Sequence, residues 1–321
     1  MTANASCTRT PLSGSPIDTF IQRYIFPVQA TGTVIVSAIV AYQLLRRHLR
    51  NVGRLHIIVL SLLQLVMIAC SLPHALAGLE TFYTSEFFRR WNFLSLVPIS
   101  FVMNYASAAD TFLCTLVAVQ FCLFARDAQS KKMFSSLKRQ VIVVVAVFVA
   151  VLPVTIHALL SHSIKLFTTC GGEVTRFQMK VNFTPGVMRA FELVQALAVI
   201  VIPTMVFVIC NARLLRTIAS QLPSTHECKE LISGSSSSEA SPSDTKLRRS
   251  IKALTAVFVI THVLSVAPFV AKYLLPPAYL PMLYTVIPVA SSITLTGKLV
   301  TFTLLHDVSI RLARIGVVNF F

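Results

Sequence analysis

Two ionisable side chains lie inside long apolar stretches of this 321-residue chain. Asp110 lies in the third stretch and Lys298 in the seventh, and the amide of Gln64 lies at a similar depth in the second. Charge at membrane depth is costly and usually has a partner. We therefore predict an Asp110–Lys298 ion pair that joins two helices, with Gln64 beside it. The alternative is that Lys298 extends its apolar stem towards the nearer membrane surface.

Patterns that serve catalysis or metal binding are missing from the sequence. It contains no His-Glu-x-x-His motif, no Gly-x-Ser-x-Gly elbow and no Cys-x-x-Cys pair. We expect no enzymatic activity, no metal site and no cofactor. The net charge of +16 lies in short segments that flank apolar stretches, which is typical of membrane topology and does not indicate a nucleic-acid partner.

Seven apolar stretches must position these side chains. Hydrophobic residues make up 55% of the chain and charged residues only 12%, whereas a soluble domain carries about 25% charged residues. A membrane helix needs about 20 apolar residues, so lipid rather than a polar shell would cover this chain. We predict an all-α membrane protein, a bundle of seven transmembrane helices at residues 26–45, 55–79, 93–124, 141–160, 187–218, 251–275 and 280–305.

The cationic residues indicate how the helices are oriented. They concentrate in alternate gaps, as at Arg46, Arg47, Arg50 and Arg54 in the first gap and Arg126, Lys131, Lys132, Lys138 and Arg139 in the third. Because cytoplasmic segments carry the excess of Lys and Arg, we predict a plasma-membrane protein with its N-terminus outside and its C-terminus in the cytoplasm. Glycosylation sequons at Asn4 and Asn182 fall on the predicted outer side.

The chain divides into three predicted regions. Residues 1–25 form an extracellular segment, and residues 26–305 form the bundle. A serine-rich cytoplasmic loop at about 222–245 has too little apolar surface to fold, so we predict that it is disordered. Residues 306–321 form a short amphipathic eighth helix on the inner membrane surface, followed by a short tail.

Seven cysteines are distributed between the helices and the gaps. Those in apolar stretches behave as small hydrophobic side chains, namely Cys70, Cys114, Cys122 and Cys210. Cys228 lies in the cytoplasmic loop. Cys7 and Cys170 fall on the oxidising outer side, so we predict that they form a disulfide. The alternative is two free thiols.

This arrangement resembles the rhodopsin-like (class A) G-protein-coupled receptors over residues 26–315. The resemblance rests on Ser71-Leu72-Pro73 in the second helix, on Ile202-Pro203 with Val206-Phe207-Val208 in the fifth, on Pro268-Phe269 in the sixth, and on the short segment His306–Leu312. It implies a receptor that binds an extracellular peptide or small chemosensory molecule and signals to heterotrimeric G proteins. The alternative is a seven-helix transporter or channel without G-protein coupling.

The chain departs from this family at the residues that operate its switch. Gln120-Phe121-Cys122 stands where the class carries an acid-Arg-aromatic triplet. Gln64 corresponds to the family's sodium-binding aspartate, so Asp110 and Lys298 would replace the ion, and their separation would accompany activation. The resemblance implies a G-protein-facing surface at Gln120, Phe121, Cys122, Arg213, Arg216, Lys246, Arg248, Arg249 and Lys252.

Ligands of helix bundles enter between the helices, in this case from the outer half. The predicted lining residues are His74, Asn104, Tyr105, Glu192, Gln195, Lys272, Tyr273 and Tyr284. The alternative for each is an anchoring role at the membrane interface. The outer loop carries Lys165, Arg176 and Lys180 against Glu173, which favours an acidic ligand.

Overall fold

The computed structural model describes residues 16–46, 54–126, 136–169, 173–230, 242–274 and 280–314. These residues form seven long helices and one β-hairpin. The helices are α1 (Pro16–Phe20, a π-helical turn Ile21–Ile25, then Phe26–Arg46), α2 (Arg54–Ala77), α3 (Glu86–Arg126), α4 (Leu137–Thr155), α5 (Pro185–Gln195, a π-helical turn Ala196–Val201, then Ile202–Glu230), α6 (Pro242–Leu274) and α7 (Leu280–Arg314). Short helical turns, Glu80–Tyr83 and His157–Leu160, precede α3 and follow α4.

Six of these helices are long and apolar enough to cross a membrane, as judged by length and composition over the described residues. They contain the stretches Ile21–Tyr42, Leu55–Ala77, Glu86–Arg126, Leu137–Leu160, Pro185–Ser220 and Thr245–Val266. The chain is therefore a helical membrane protein, as the sequence predicts. Helix α7 is not among the six, which were sought over the described residues alone. A seven-crossing topology stays a prediction.

Apolar side chains lie both inside and outside the bundle. The inner faces of α3, α5, α6 and α7 contribute fully buried residues such as Leu113, Leu214, Leu254 and Leu305. On α6 the buried positions recur at helical spacing, at Leu247, Ile251, Leu254 and Phe258. Large apolar residues also cover the outer faces, including Val28, Val149 and Ile260. Such an outer surface suits lipid, because water would penalise it.

Both π-helical turns end two residues before a proline, namely Pro27 in α1 and Pro203 in α5. A proline inside a helix lacks the backbone N–H and its ring clashes with the carbonyl four residues earlier. A wider π-helical turn at that place accommodates the clash and adds one residue, which rotates the preceding helical face by about 100°. In α5 this rotation affects the segment that carries Glu192 and Gln195.

A two-stranded antiparallel hairpin links α4 to α5, which the all-α prediction did not include. Strands β1 (His162–Thr169) and β2 (Glu173–Val181) pair with His162 opposite Val181. Phe177 of β2 packs on Phe93 of α3, with ring centroids 4.6 Å apart. We call this end of the bundle the hairpin end. The opposite end, where α5 passes Arg213 and α6 begins, is the basic end.

Three predicted boundaries are wrong. The first helix begins at Pro16 rather than at residue 26, so residues 16–25 of the predicted N-terminal segment are helical. Residues 222–230 and 242–245 of the predicted disordered loop are helical, because α5 continues to Glu230 and α6 begins at Pro242. No break separates the predicted seventh and eighth helices, because α7 is continuous from Leu280 to Arg314 and buries Val308 and Leu312 in the main core.

Candidate functional site

Asp110 and Lys298 meet in the middle of the bundle, as expected from the sequence. The Lys298 ammonium lies 3.0 Å from Asp110 Oδ2, and the two side chains are only 6% and 3% exposed. The pair joins α3 to α7. Lys298 therefore does not extend to the membrane surface.

Further polar groups complete the coordination of both charges. Gln64 of α2 donates to Asp110 Oδ1 at 2.9 Å. The Lys298 ammonium also donates to the Ser107 carbonyl at 2.9 Å and to Thr111 Oγ1 at 3.1 Å. Its three hydrogens thus have three acceptors. A buried ion pair is stable only when such additional hydrogen bonds satisfy the remaining donors and acceptors.

His262 connects α6 to the same cluster. Its Nδ1 lies 2.7 Å from the Phe258 carbonyl, which can only accept, so Nδ1 carries a proton. In the neutral tautomer Nε2 accepts the hydroxyl proton of Thr111 at 3.1 Å. The Thr111 hydroxyl also lies 3.0 Å from the Ser107 carbonyl, so its single proton can point to either acceptor. We call Gln64, Ser107, Asp110, Thr111, His262 and Lys298 the central network.

The sequence-based prediction missed His262. Its signal was the same as that of Asp110, an ionisable side chain inside an apolar stretch. Its ring stacks on Phe258 with centroids 4.0 Å apart, and Phe258 stacks on Phe207 of α5 at 3.8 Å. The central network is therefore packed against α5 as well as α6.

A cavity of about 290 Å³ lies between the central network and the hairpin end. Its lining comes from four helices, namely Asn104, Ser107, Ala108 and Thr111 of α3, Glu192, Gln195, Ala196, Val199 and Ile200 of α5, His262, Ser265 and Val266 of α6, and Thr294 and Lys298 of α7. A second chamber of about 190 Å³ shares five of these residues and extends to Met67 of α2. We call the two together the central cavity. It brings the predicted residues Asn104, Glu192 and Gln195 together.

A separate, mainly apolar cavity of about 300 Å³ lies between α1, α2, α3 and α7. The predicted residue His74 lines it, together with Gln22, whose Nε2 lies 2.9 Å from His74 Nε2. We call it the side cavity. Sequence reasoning did not identify Gln22, because it lies in a segment assigned to the N-terminal extension.

Tyr105, the remaining predicted lining residue whose side chain is described, does not line either cavity. Tyr105 points away from the central cavity, since its hydroxyl donates to the Phe148 carbonyl of α4 at 2.9 Å. A role for Tyr105 in ligand binding stays a prediction. The side chains of Lys272, Tyr273 and Tyr284 lie outside the part of the chain that is described.

The basic end carries most of the residues predicted to face a G protein. Exposed cations on α5 and α6 include Arg213, Arg216, Lys246, Arg249 and Lys252, and Arg248 is half-buried. Gln120 and Phe121 are buried, and only Cys122 of that triplet is partly accessible. Gln120 and Phe121 were predicted to face a partner, and in this conformation they are not accessible to one.

A second polar contact ties α6 to α7 at the basic end. Ser250 donates to Asp307 Oδ2 at 3.0 Å, and Arg311 Nε binds the same oxygen at 2.7 Å. The Asp307 and Arg311 side chains are 38% and 34% exposed. We call Ser250, Asp307 and Arg311 the basic-end clasp.

The remaining predicted residues fall largely outside the described ranges. Asn4, Cys7 and Cys170 lie in undescribed segments, so the disulfide and one sequon stay predictions. Asn182 is exposed at the end of β2, where its amide donates to the Leu160 carbonyl at 3.0 Å. Within the described ranges, no three His, Cys, Asp or Glu side chains are grouped as metal ligands would be.

A scan of the sequence against protein-family models gave no match, and a search of curated proteins gave none either.

Proposed function

We propose that this protein is a membrane receptor of the rhodopsin-like kind, which binds an extracellular ligand in the central cavity and signals to a heterotrimeric G protein. In this proposal the hairpin end faces outward and the basic end faces the cytoplasm, in agreement with the excess of Lys and Arg there. The predicted resemblance supplies the receptor class, and the geometry of the bundle supports a route from ligand to partner.

One observation carries the proposal: the floor of the central cavity is built from the central network. Thr111, His262 and Lys298 line the cavity and also hold α3, α6 and α7 together. If α6 can occupy two positions, a ligand that makes better contacts with these side chains in one of them shifts the equilibrium towards that conformation. The same side chains would therefore bind the ligand and fix the position of α6.

Movement of α6 would change the surface that is exposed at the basic end. Lys246, Arg249 and Lys252 project from the first turns of α6. Outward movement of α6 would separate Ser250 from Asp307 and uncover surface next to these cations. The family's arginine lock is absent from the sequence, with Phe121 buried in its place, and the basic-end clasp is a polar contact that opening would break.

The direct test is nucleotide exchange on purified G proteins by the chain reconstituted in lipid nanodiscs. Binders are first identified by thermal shift of the purified protein. A binder is expected to raise the exchange rate several-fold with at least one G-protein class. The triple variant Lys246→Ala, Arg249→Ala, Lys252→Ala should lose this effect, whereas the control Lys165→Ala, Lys180→Ala at the hairpin end should keep it.

A confirmed binder that leaves exchange unchanged with every G-protein class would contradict the signalling proposal. Uptake of that binder, or an ion current, across liposomes containing the chain would then support the transporter or channel alternative. Because the protein binds the confirmed ligand, a folding defect does not account for the missing exchange.

A further inference from the structure

The central network contains a histidine, the residue type whose unperturbed charge change falls between about pH 5 and about pH 8. This residue, His262, is buried with 4% of its surface exposed, and it lines the central cavity. In the proposed orientation the cavity lies between the network and the extracellular side. An extracellular proton can therefore reach His262 through the cavity.

One hydroxyl group separates the His262 ring from the Lys298 ammonium. Thr111 Oγ1 lies 3.1 Å from His262 Nε2 and 3.1 Å from Lys298 Nζ. On the other side of the ring, Nδ1 already donates its proton to the Phe258 carbonyl at 2.7 Å. A proton added to the neutral ring therefore goes to Nε2, the nitrogen that faces Thr111 and Lys298.

A proton on Nε2 would place a second cation beside Lys298. Thr111 Oγ1 would then receive hydrogens from both cations, and its own proton would point to the Ser107 carbonyl, 3.0 Å away. The hydrogen bonds would stay satisfied, but Asp110 already balances the charge of Lys298. Like charges this close repel each other, most strongly where water is excluded. Protonation of His262 therefore weakens the contact of α6 with α3 and α7.

Further titratable groups near His262 belong to α3, α5 and α6. Cys114 of α3 contributes a buried thiol, which carries no charge. Lys272 lies about 15 Å further along the axis of α6, at about 1.5 Å per residue, and a cation on that side adds to the repulsion. Glu192 of α5 lines the same cavity and has contacts of its own. Because its carboxylate can also take up a proton, the experiment below separates Glu192 from His262.

We propose that the proton is a ligand of this protein, bound at His262 Nε2, and that extracellular acid favours the arrangement in which α6 has moved away from Lys298. This inference rests on the proposed function for the outward movement of α6, and it adds a chemical signal that drives this movement. The conformation that binds the proton more tightly gains population as the pH falls. Lys298 opposes proton binding in the structure described above, so acid shifts the equilibrium away from it.

The test measures the distance between α3 and α6 at the basic end against pH, in the purified chain in nanodiscs and without a G protein. Spin labels replace two exposed residues, by Arg126→Cys and Arg249→Cys, after the other cysteines have been substituted. A change from about pH 7.5 to about pH 5.5 should raise the ratio of long to short distances at least about threefold, since one proton can change it by up to about tenfold per pH unit.

Two substitutions, His262→Gln and His262→Asn, remove the group that takes up the proton, so the distances should become independent of pH. His157→Gln is the matched control, because His157 is also 4% exposed and also bonds to a backbone carbonyl, that of Val154 at 2.9 Å. It lies outside the central network and should keep the response. Glu192→Gln should keep the response as well.

The assignment is overturned if the distances do not depend on pH, if the response persists in both His262 variants, or if Glu192→Gln abolishes it. Thermal unfolding of each labelled variant at both pH values shows that it is folded. Distances that respond to acid without a rise in nucleotide exchange would retain the proton site and contradict only the signalling proposal. Distances that ignore pH would leave ligand-evoked exchange at constant pH as a separate question.

Discussion

Helix α7 carries two ion pairs in very different surroundings. The Asp110–Lys298 pair is almost fully buried and has hydrogen bonds from α2 and α3, whereas the Asp307–Arg311 pair is about one-third exposed and lies within one helix. Exposed pairs within a helix contribute a few tenths of a kcal/mol, while removing one partner of a buried pair costs several. The buried pair therefore fixes the arrangement of the helices, and the exposed pair can change at low cost.

The largest effect is expected from Lys298→Met. The substitution leaves the Asp110 carboxylate buried without its cation, so we expect a loss of about 3–5 kcal/mol in stability. A clear fall in the thermal unfolding midpoint in detergent measures it. The double variant Asp110→Leu, Lys298→Met should recover most of the loss, because no isolated charge remains.

The charge-swapped variant Asp110→Lys, Lys298→Asp sharpens this test. Each single reversal places two like charges together, and the double reversal restores an opposite pair. If the double variants are no more stable than the single variants, the Asp110–Lys298 pair does not stabilise the bundle in the way that its burial indicates.

A smaller effect is expected from Gly297→Ala, next to Lys298. A Cβ at this position would overlap the side chain of Thr261, so α6 and α7 would have to move apart. We expect a loss of about 1–3 kcal/mol, as for other overpacked sites. Gly186→Ala is the matched control, since nothing lies within 4 Å of its added Cβ.

The companion substitution Thr261→Ala should restore part of the stability of Gly297→Ala. Thermal unfolding of the two single variants and the double variant measures this coupling. Equal losses at Gly297 and Gly186 would mean that the close approach of α6 and α7 does not support the buried pair.

The side cavity offers an intermediate case, a neutral polar contact. Gly78→Ala would place its Cβ against the Gln22 amide oxygen, so this flexible side chain would have to turn away from His74. We expect a loss of about 0.5–1.5 kcal/mol, the usual contribution of one hydrogen bond. Gly32→Ala, where the nearest atom is Leu299 Cδ2 at 3.8 Å, should be close to neutral.

The smallest effect on stability is expected from Asp307→Asn at the basic end. The exposed pair with Arg311 is lost, which costs no more than about 1 kcal/mol. The thermal midpoint should therefore change little. A loss as large as that of Lys298→Met would contradict the difference between the two pairs.

The sequence predicted the buried pair because an ionisable residue inside an apolar helix needs a partner, and Asp110 and Lys298 are opposite charges inside two of the predicted helices. It did not predict which face of an apolar helix points inward. Asn104 lines the cavity and the adjacent Tyr105 points to α4, about 100° around the helix. When both faces of a helix are apolar, hydrophobic periodicity cannot distinguish the lipid-facing side.

The helix boundaries were harder to predict than the helices. No Pro or Gly lies at Leu305 or His306, so nothing in the local sequence ends α7 there, and the helix continues to Arg314. Charged and serine-rich segments were assigned to loops by composition, although residues up to Glu230 are helical. A charged, serine-rich composition indicates that a segment is exposed to solvent. An exposed helix can have this composition as well as a loop.

The most direct test of the coupling between cavity and basic end uses Thr111→Val, which removes the hydroxyl shared by Lys298 and His262. Spin labels at Arg126→Cys and Arg249→Cys, in a chain whose other cysteines are replaced, report the distance between α3 and α6 at the basic end. The proposed coupling predicts a larger population at longer distance in Thr111→Val and no change in the control Thr303→Val, which alters an exposed hydroxyl on α7. An unchanged distance distribution in Thr111→Val would contradict it.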